Sequence, residues 1–165
     1  INLSAQSLCD DEFLPFLLHE LDRHGCDPRH LCFEITETCA ISNLVRARHF
    51  INTLRARGCR FALDDFGSGL SSFGYLKNLQ VEYLKIDGSF VRGIENDPMD
   101  LAMVESINQL GHVAGIQTIA EYVENTAILE RLRRMGVDFA QGYGVARPEP
   151  LQLLAQRSQL QRREA

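Results

Sequence analysis

Short apolar runs alternate with longer amphipathic stretches along the whole chain. Each of the six short runs ends in or next to a polar or acidic residue, and each has the length of a β-strand. Runs of apolar and β-branched residues of this kind are typical of strands that are buried on both faces. The six predicted strands are 1–3, 31–35, 60–65, 83–87, 117–121 and 137–141.

Four of the intervening stretches carry apolar residues at steps of three and four, which predicts helices. Each of these stretches ends near a glycine, and one more helix is predicted for the polar tail at 151–165. The four amphipathic stretches are 13–25, 44–58, 97–115 and 128–136.

Alternating strands and helices predict an α/β fold with a parallel sheet, which is either a doubly wound open sheet or a closed barrel. A polar residue stands at or near the C-terminal end of every predicted strand. A barrel gathers all these ends around one mouth, whereas an open sheet draws its site from two or three strands, so we favour a (β/α)8 TIM-like barrel. The six polar residues are Asn2, Glu34, Asp64, Lys85, Glu121 and Gln141.

Size, composition and charge narrow the possible functions. The 165 residues are 45% hydrophobic and 24% charged, which predicts one globular domain over 1–165, with the strand motifs in 1–150. A complete barrel of this type needs about 250 residues and eight strands, so we expect the barrel to be incomplete at its N-terminus. The net charge of −5 argues against binding to a nucleic-acid polymer. Five cysteines without a C-x-x-C pair indicate free thiols in the cytoplasm.

The segment Asp64-Asp65-Phe66-Gly67-Ser68-Gly69 places two adjacent carboxylates at a strand end. Two such carboxylates repel each other when buried and need positive charge nearby. Hard divalent cations prefer carboxylate oxygens, and one carboxylate can bridge two ions. An ordinary acidic turn before a glycine-rich loop remains the alternative from these residues alone.

Other charged groups stand at the ends of the neighbouring predicted strands. Lys85 lies in an apolar run, so it either contacts carboxylates or phosphate in the interior or reaches solvent. Glu34 with Glu37, and Glu121 with Glu124, bracket strand ends in a way that also suits ordinary polar termini. Glu37 is expected in the loop after its strand. The barrel would bring all these groups to one rim, which favours a shared site.

Six segments, in order and at suitable spacing, are similar to the successive motifs of EAL-domain phosphodiesterases. That family hydrolyses cyclic di-GMP to linear 5′-pGpG with Mg²⁺ or Mn²⁺. The resemblance runs from residue 1 to about Pro150. The six segments are 2–4, 34–37, 64–69, 84–87, 120–124 and 141–143.

The resemblance implies a site with two metal ions. Asp64 would bridge both ions, and Asp65 and Glu121 would help to hold the second. Lys85 would contact the attacking water and the charge that develops on the phosphate. Lys85, Glu121 and Asp64 are therefore the implied catalytic residues. The implied ligands of the first ion are Asn2, Glu34 and Asp64.

Further polar residues have implied supporting roles at the barrel mouth. Gln141 would lie beside the substrate or behind the metal ligands. Glu37 would steady the 65–72 loop, which in this family is tied to metal occupancy and to dimerisation. Asp87 and Glu124 would be supporting acids near the lysine and the second ion.

The sequence departs from the family pattern at two places. The Glu-Ala-Leu stretch, whose glutamate is a further ligand of the first ion, would lie before Asn2, so we expect one or two strands to precede this chain. Tyr122 stands where glycine is usual, so it either crowds the rim or stacks on a base. The family also implies a homodimer and fusion to upstream sensory or GGDEF-type domains.

Three functions are consistent with these residues. A cyclic di-GMP phosphodiesterase is favoured because each metal ligand that falls within the chain is present. A cyclic di-GMP receptor without catalysis would usually have lost some ligands. An unrelated metal-dependent barrel enzyme would require coincidence across six motifs.

Overall fold

A computed structural model describes residues 1–69, 73–150 and 152–153 of the chain. Six parallel strands form one sheet in the order β1-β2-β3-β4-β5-β6. A doubly wound sheet would reverse its strand order at a switch point, so the sequential order confirms the predicted barrel arrangement. The strands are β1 (Asn2–Leu3), β2 (Cys32–Thr36), β3 (Arg60–Phe66), β4 (Tyr83–Ile86), β5 (Gln117–Ala120) and β6 (Phe139–Ala140).

An α-helix follows β1, β2, β4 and β5, and a 3-10 helix lies between β3 and β4, so that the five connections between these parallel strands are crossovers. The four long helices were predicted to within a few residues, whereas the three short ones, of five or six residues, were not. The helices are α1 (Ala5–Cys9), α2 (Phe13–His24), α3 (Glu37–Ser42), α4 (Leu44–Ala56), α5 (Gly88–Gly93), α6 (Pro98–Val113) and α7 (Thr126–Met135). Two 3-10 helices cover Pro28–His30 and Phe73–Asn78.

Local chemistry explains where the long helices begin and end. Asp97 caps α6 by accepting from the Met99 amide at 2.7 Å, and Pro98 has the backbone angle that a first helical residue needs. Gly136 ends α7 with a φ of 74°, a left-handed conformation that glycine adopts without strain. The helix predicted for 151–165 lies outside the described residues except for positions 152 and 153.

A row of aromatic side chains packs α2 and α4 against the sheet. The ring of Phe13 in α2 lies 6.2 Å from Phe50 in α4, which meets Phe61 in β3 edge-on at 6.4 Å. Phe61 in turn lies 5.5 Å from Phe33 in β2. Because Phe33 and Phe61 are almost fully buried, each contributes about 2–3 kcal/mol of hydrophobic stabilisation. Among the described helices none is long and apolar enough to cross a bilayer.

A polar network joins α6 and β5 to the segment before β6. Asp138 Oδ2 accepts from the Thr118 amide at 2.8 Å and lies 2.9 Å from His112 Nε2. The fully buried Thr118 hydroxyl lies 2.6 Å from Asn108 Oδ1. Burial tends to raise the pKa of Asp138, but the bonds from Thr118 and His112 outweigh it and hold this pKa below its ordinary value.

We expect Asp138→Asn to lower the free energy of unfolding by about 1–2 kcal/mol at pH 7, since it removes charge-assisted hydrogen bonds. The depressed pKa of Asp138 means that its contribution is present above the ordinary value of 3.8 and is lost as the pH falls towards and below it. Urea unfolding at pH 7 and at pH 2, which is below the ordinary value, measures the difference. The exposed Glu130→Gln on α7 is the control, and an effect independent of pH would contradict the assignment.

Candidate metal centre and catalytic site

A buried lysine stands at the centre of the site. Lys85 in β4 is 3% exposed, and its Nζ lies 2.8 Å from Glu34 Oε2, 2.7 Å from Asp64 Oδ1 and 2.8 Å from Glu121 Oε1. These acids come from β2, from β3 and from the residue after β5, so one cation joins the strands on both sides of β4. The interior location predicted as one of two alternatives for Lys85 is therefore confirmed.

Lys85 remains charged in this setting. Burial lowers the pKa of its ammonium group, but the ion pairs with Asp64, Glu121 and Glu34 outweigh that effect and hold the pKa above its ordinary value. The three carboxylates thus keep their cation at neutral pH. Because the ammonium stays protonated, Lys85 is a fixed positive charge and a hydrogen-bond donor, and it is not a general base at that pH.

An irregularity in the sheet brings the paired aspartates to the same place. In β3 the register shifts between Leu63 and Phe66, so that Asp64 and Asp65 together oppose Lys85 in β4. Asp65 has a φ of 53°, a left-handed conformation that aspartate tolerates better than most residues. In a regular strand, neighbouring side chains would point to opposite faces. A bulge of this kind re-aims side chains and is common near active sites.

Three carboxylates are close enough to share an ion. One oxygen from each of Asp64, Asp65 and Glu121 lies within 4.8 Å of the other two. This is the set that the family resemblance assigns to the second ion. Glu34 contacts the same lysine from the β2 side.

Two acids of this cluster, Asp65 and Glu121, ionise less readily than usual. Burial and then the charge of Asp64 raise the pKa of Asp65, with a further contribution from Asp87. Burial is also the largest cause that raises the pKa of Glu121, although Lys85 opposes it. Concentrated negative charge therefore makes the site a poor place for carboxylates unless a cation is near.

The donor set fits a hard divalent cation. One lysine faces four carboxylates, those of Glu34, Asp64, Asp65 and Glu121. Asp64 Oδ1 is buried and accepts no well-aligned hydrogen bond from the described residues, although Lys85 Nζ lies 2.7 Å away. A buried carboxylate oxygen with unused lone pairs is suited to Mg²⁺ or Mn²⁺, which bind oxygen ligands.

Glu37 connects the site to the loop after β3. It was expected in a loop, but it is the first residue of α3, where the Thr36 hydroxyl caps the helix. Glu37 is 2% exposed, and its carboxylate accepts from the Gly67 amide at 3.0 Å and from the Tyr75 hydroxyl at 2.7 Å. Burial and the bond to Glu37 raise the pKa of Tyr75, which therefore stays protonated and remains a donor. Positions 70–72 of the loop lie outside the described residues.

The remaining predicted residues lie around the cluster at different distances from it. Gln141 Nε2 donates to Glu121 Oε1 at 3.3 Å. Asn2 pairs in register with Glu34 across β1 and β2. Asp87 caps α5 by accepting from the Ser89 amide at 2.7 Å, and its charge helps to raise the pKa of Asp65. Glu124 is exposed and lines a cleft beside the site, outside the acid cluster.

That cleft has a volume of about 700 Å³ and adjoins Gln141. Tyr122 and Tyr143 contribute exposed rings to its walls, with 57% and 68% of their surface accessible. The Arg92 guanidinium lies 5.0 Å from the centre of the Tyr122 ring, and that of Arg147 lies 5.2 Å from the Tyr143 ring. The cleft therefore combines flat apolar faces with two positive charges.

Tyr75 and Arg92 are among the residues of the site that sequence reasoning missed. Tyr75 lies in an unpredicted 3-10 helix, and only its spatial contact identifies it as the partner of Glu37. Arg92 lies in the short helix α5, which carries too few residues for a periodic pattern. Its place shortly after the C-terminal end of β4 could have identified it, because the segments that follow barrel strands surround the mouth of the barrel.

Known proteins resemble this chain over most of its length. The family described as "EAL domain" matches residues 1–148. Cyclic di-GMP phosphodiesterase PdeB of Shewanella oneidensis is 45% identical over 151 residues, which are 92% of this chain and 18% of PdeB. MucR of Pseudomonas aeruginosa, a bifunctional diguanylate cyclase/cyclic di-GMP phosphodiesterase, is 37% identical over 156 residues, which are 94% of this chain and 23% of MucR. The chain thus spans about a fifth of the length of these curated relatives.

A solved structure shares the fold over most of the chain. The PaMucR phosphodiesterase, solved as a c-di-GMP complex, superimposes with a TM-score of 0.87 at 36% identity. The match covers 93% of this chain and 62% of that structure. The parallel six-stranded sheet is therefore part of the barrel of these domains.

Removal of the central cation tests the electrostatic description of the site. We expect Lys85→Met to lower the free energy of unfolding of the metal-free protein by about 3–5 kcal/mol, because it leaves buried carboxylates without their partner. Addition of Mn²⁺ should restore part of the lost free energy of unfolding, because the ion supplies positive charge to the same carboxylates. Urea unfolding in EDTA and in Mn²⁺ measures both effects.

The exposed Lys77→Met is the matched control. A Lys85→Met protein as stable in EDTA as the control would contradict the charge balance described above.

Proposed function

This chain belongs to the EAL domain family, and we propose that the protein hydrolyses cyclic di-GMP to linear 5′-pGpG in a reaction that depends on Mg²⁺ or Mn²⁺. The names of PdeB and MucR and the ligand of the PaMucR structure support this substrate. The observation that carries the proposal is the cluster of Asp64, Asp65 and Glu121, in which the buried Asp64 Oδ1 accepts no aligned hydrogen bond from the part of the chain that the structure describes.

Two groups of residues would hold two ions. Asn2, Glu34 and Asp64 form the first group, and Asp64, Asp65 and Glu121 form the second, with Asp64 shared. Bound there, the ions would supply an activated water and would neutralise the negative charge of the phosphodiester.

Lys85 has a positioning and an electrostatic role in this proposal. Its contacts with Glu34, Asp64 and Glu121 point three carboxylates towards one place and keep them there before substrate arrives. Its permanent positive charge lies where negative charge develops on the phosphate, which is the kind of preorganised stabilisation that lowers a transition-state barrier. Gln141 keeps Glu121 in place through its amide.

Glu37 couples the loop after β3 to the metal ligands. It holds Gly67, two residues beyond Asp65, through a backbone hydrogen bond. Movement of that loop would therefore shift Asp65 and change the second group of ligands. Asp87 and Glu124 lie farther from the ions in this proposal. Asp87 acts through its charge, which raises the pKa of Asp65, and Glu124 lines the cleft.

The domain assignment and the partners follow from the same family membership. We propose that 1–165 is part of one phosphodiesterase domain, that it acts in the cytoplasm and that it dimerises. Fusion to a GGDEF-type or sensory domain is supported by MucR, whose name includes a diguanylate cyclase. The net charge of −5 agrees with a small ligand bound through metal ions rather than a nucleic-acid polymer.

We expect Asp64→Asn in the intact protein to lower kcat for cyclic di-GMP by at least about 100-fold. Substitution of residues that only hydrogen-bond to metal ligands already costs about 10–100-fold in metal affinity or activity. Formation of 5′-pGpG is followed chromatographically in Mg²⁺, in Mn²⁺ and in EDTA. Asp97→Asn is the matched control, since asparagine also caps a helix.

Three results would decide between the candidate functions. Metal-dependent product from the wild type and the control, but not from Asp64→Asn, supports the proposal. Turnover by Asp64→Asn near the wild-type rate would overturn the shared-ligand role. Binding of cyclic di-GMP without product from the wild type would identify a receptor.

A further inference from the structure

The backbone at Tyr122 is unusual for so large a residue. Its φ of 50° lies in the left-handed region, where a bulky side chain is a rare outlier. Glycine would adopt this conformation without strain. Strained residues persist where the surroundings over-determine them, and they cluster at functional sites. Tyr122 directly follows Glu121, a member of the acid cluster, so its side chain starts at the edge of the site.

Packing around Tyr122 is shaped to accommodate its ring. The ring lies against the backbone of Gly88, where an added Cβ would be 2.2 Å from Tyr122 Cδ2. Gly88 is the first residue of α5, so the ring fills space that a side chain at this position would otherwise occupy. Tyr122 nevertheless keeps 57% of its surface exposed. The fold therefore holds a solvent-facing ring in one place.

The ring in turn supports Arg92. The guanidinium of Arg92 lies 5.0 Å from the ring centre, and its Nε donates to the Gly88 carbonyl at 3.3 Å. Its terminal nitrogens make no hydrogen bond or ion pair within the described part of the chain. A stacked guanidinium with free, coplanar donors is suited to bidentate recognition of two neighbouring acceptors.

We propose that Arg92, held on the Tyr122 ring, is a specificity-determining residue that binds the O6 and N7 acceptors of one guanine of the substrate. This inference rests on the proposed function, because it takes the ligand to be a guanine dinucleotide. Arginine donates to both acceptors of guanine, whereas adenine presents an amino donor in place of O6. The pair lines the cleft next to Gln141, which contacts Glu121, so a phosphodiester at the acid cluster would place its base within this cleft.

The test uses one base-free reporter reaction. Hydrolysis of bis(p-nitrophenyl) phosphate by the intact protein is to be followed in Mn²⁺ with cyclic di-GMP and cyclic di-AMP as competitors, which gives an inhibition constant for each. The variants are Arg92→Ala, Arg92→Lys, Tyr122→Gly and Tyr122→Phe. Arg133→Ala, at an exposed position on α7, is the control.

We expect Arg92→Ala to raise the inhibition constant of cyclic di-GMP about 10-fold, because a bidentate contact to a base is worth about 5- to 150-fold. Arg92→Lys should have a similar effect, because an ammonium group lacks the planar fork that stacks on the ring. The inhibition constant of cyclic di-AMP should change little, and so should kcat for the reporter. Tyr122→Gly should also raise the inhibition constant of cyclic di-GMP, whereas Tyr122→Phe, which keeps the ring, should resemble the wild type.

Several results would overturn the inference. Equal loss for both dinucleotides would mean that Arg92 contacts a phosphate or the sugar rather than the base. Unchanged inhibition constants in all variants would mean that the pair does not touch the ligand. A parallel fall in reporter kcat would mean that Tyr122 acts through the geometry of the metal site.

Failure of the proposed function gives a different pattern. A wild type that cleaves the reporter but not cyclic di-GMP would contradict the proposed reaction, while the inhibition constants still decide the role of Arg92. If neither compound is cleaved, calorimetric binding of the two dinucleotides to the same variants decides it.

Discussion

The site depends on the balance of charge around Lys85. Burial of an ammonium group in a barrel interior is costly unless several acceptors surround it. Lys85 has three carboxylates within 2.8 Å, from the strands on both sides of its own. The carboxylates in turn need positive charge, and one lysine cannot neutralise all of them. The remaining negative charge is what suits the site to divalent cations.

Barrel topology makes this arrangement possible, and a single bulge completes it. Parallel strands in sequential order bring their C-terminal ends to one edge, where Lys85 contacts Glu34, Asp64 and Glu121. A regular β3 would point Asp64 and Asp65 to opposite faces. The register shift at these residues brings both towards Glu121. Glu37 then ties the following loop to the same place through Gly67, so ligand geometry and loop position are coupled.

Sequence patterns predicted the sheet and the long helices because each has enough residues to display a period. α1, α3 and α5 are too short for that, and Glu37 was consequently expected in a loop instead of at the start of α3. The polar strand ends identified Lys85, Asp64 and Glu121 because a charged residue in an apolar strand requires a partner. The bulge in β3 and the stacking of Arg92 on Tyr122 arise from tertiary contacts, which periodicity does not report.

Calorimetric titration of Mn²⁺ into the metal-free intact protein counts the ions that the carboxylates around Lys85 accept. We predict saturable binding of two ions per chain, with binding much weakened in Asp64→Asn because that residue serves both. One ion per chain would contradict the shared role of Asp64. No saturable binding at millimolar Mn²⁺ would contradict the account of the site as a metal centre.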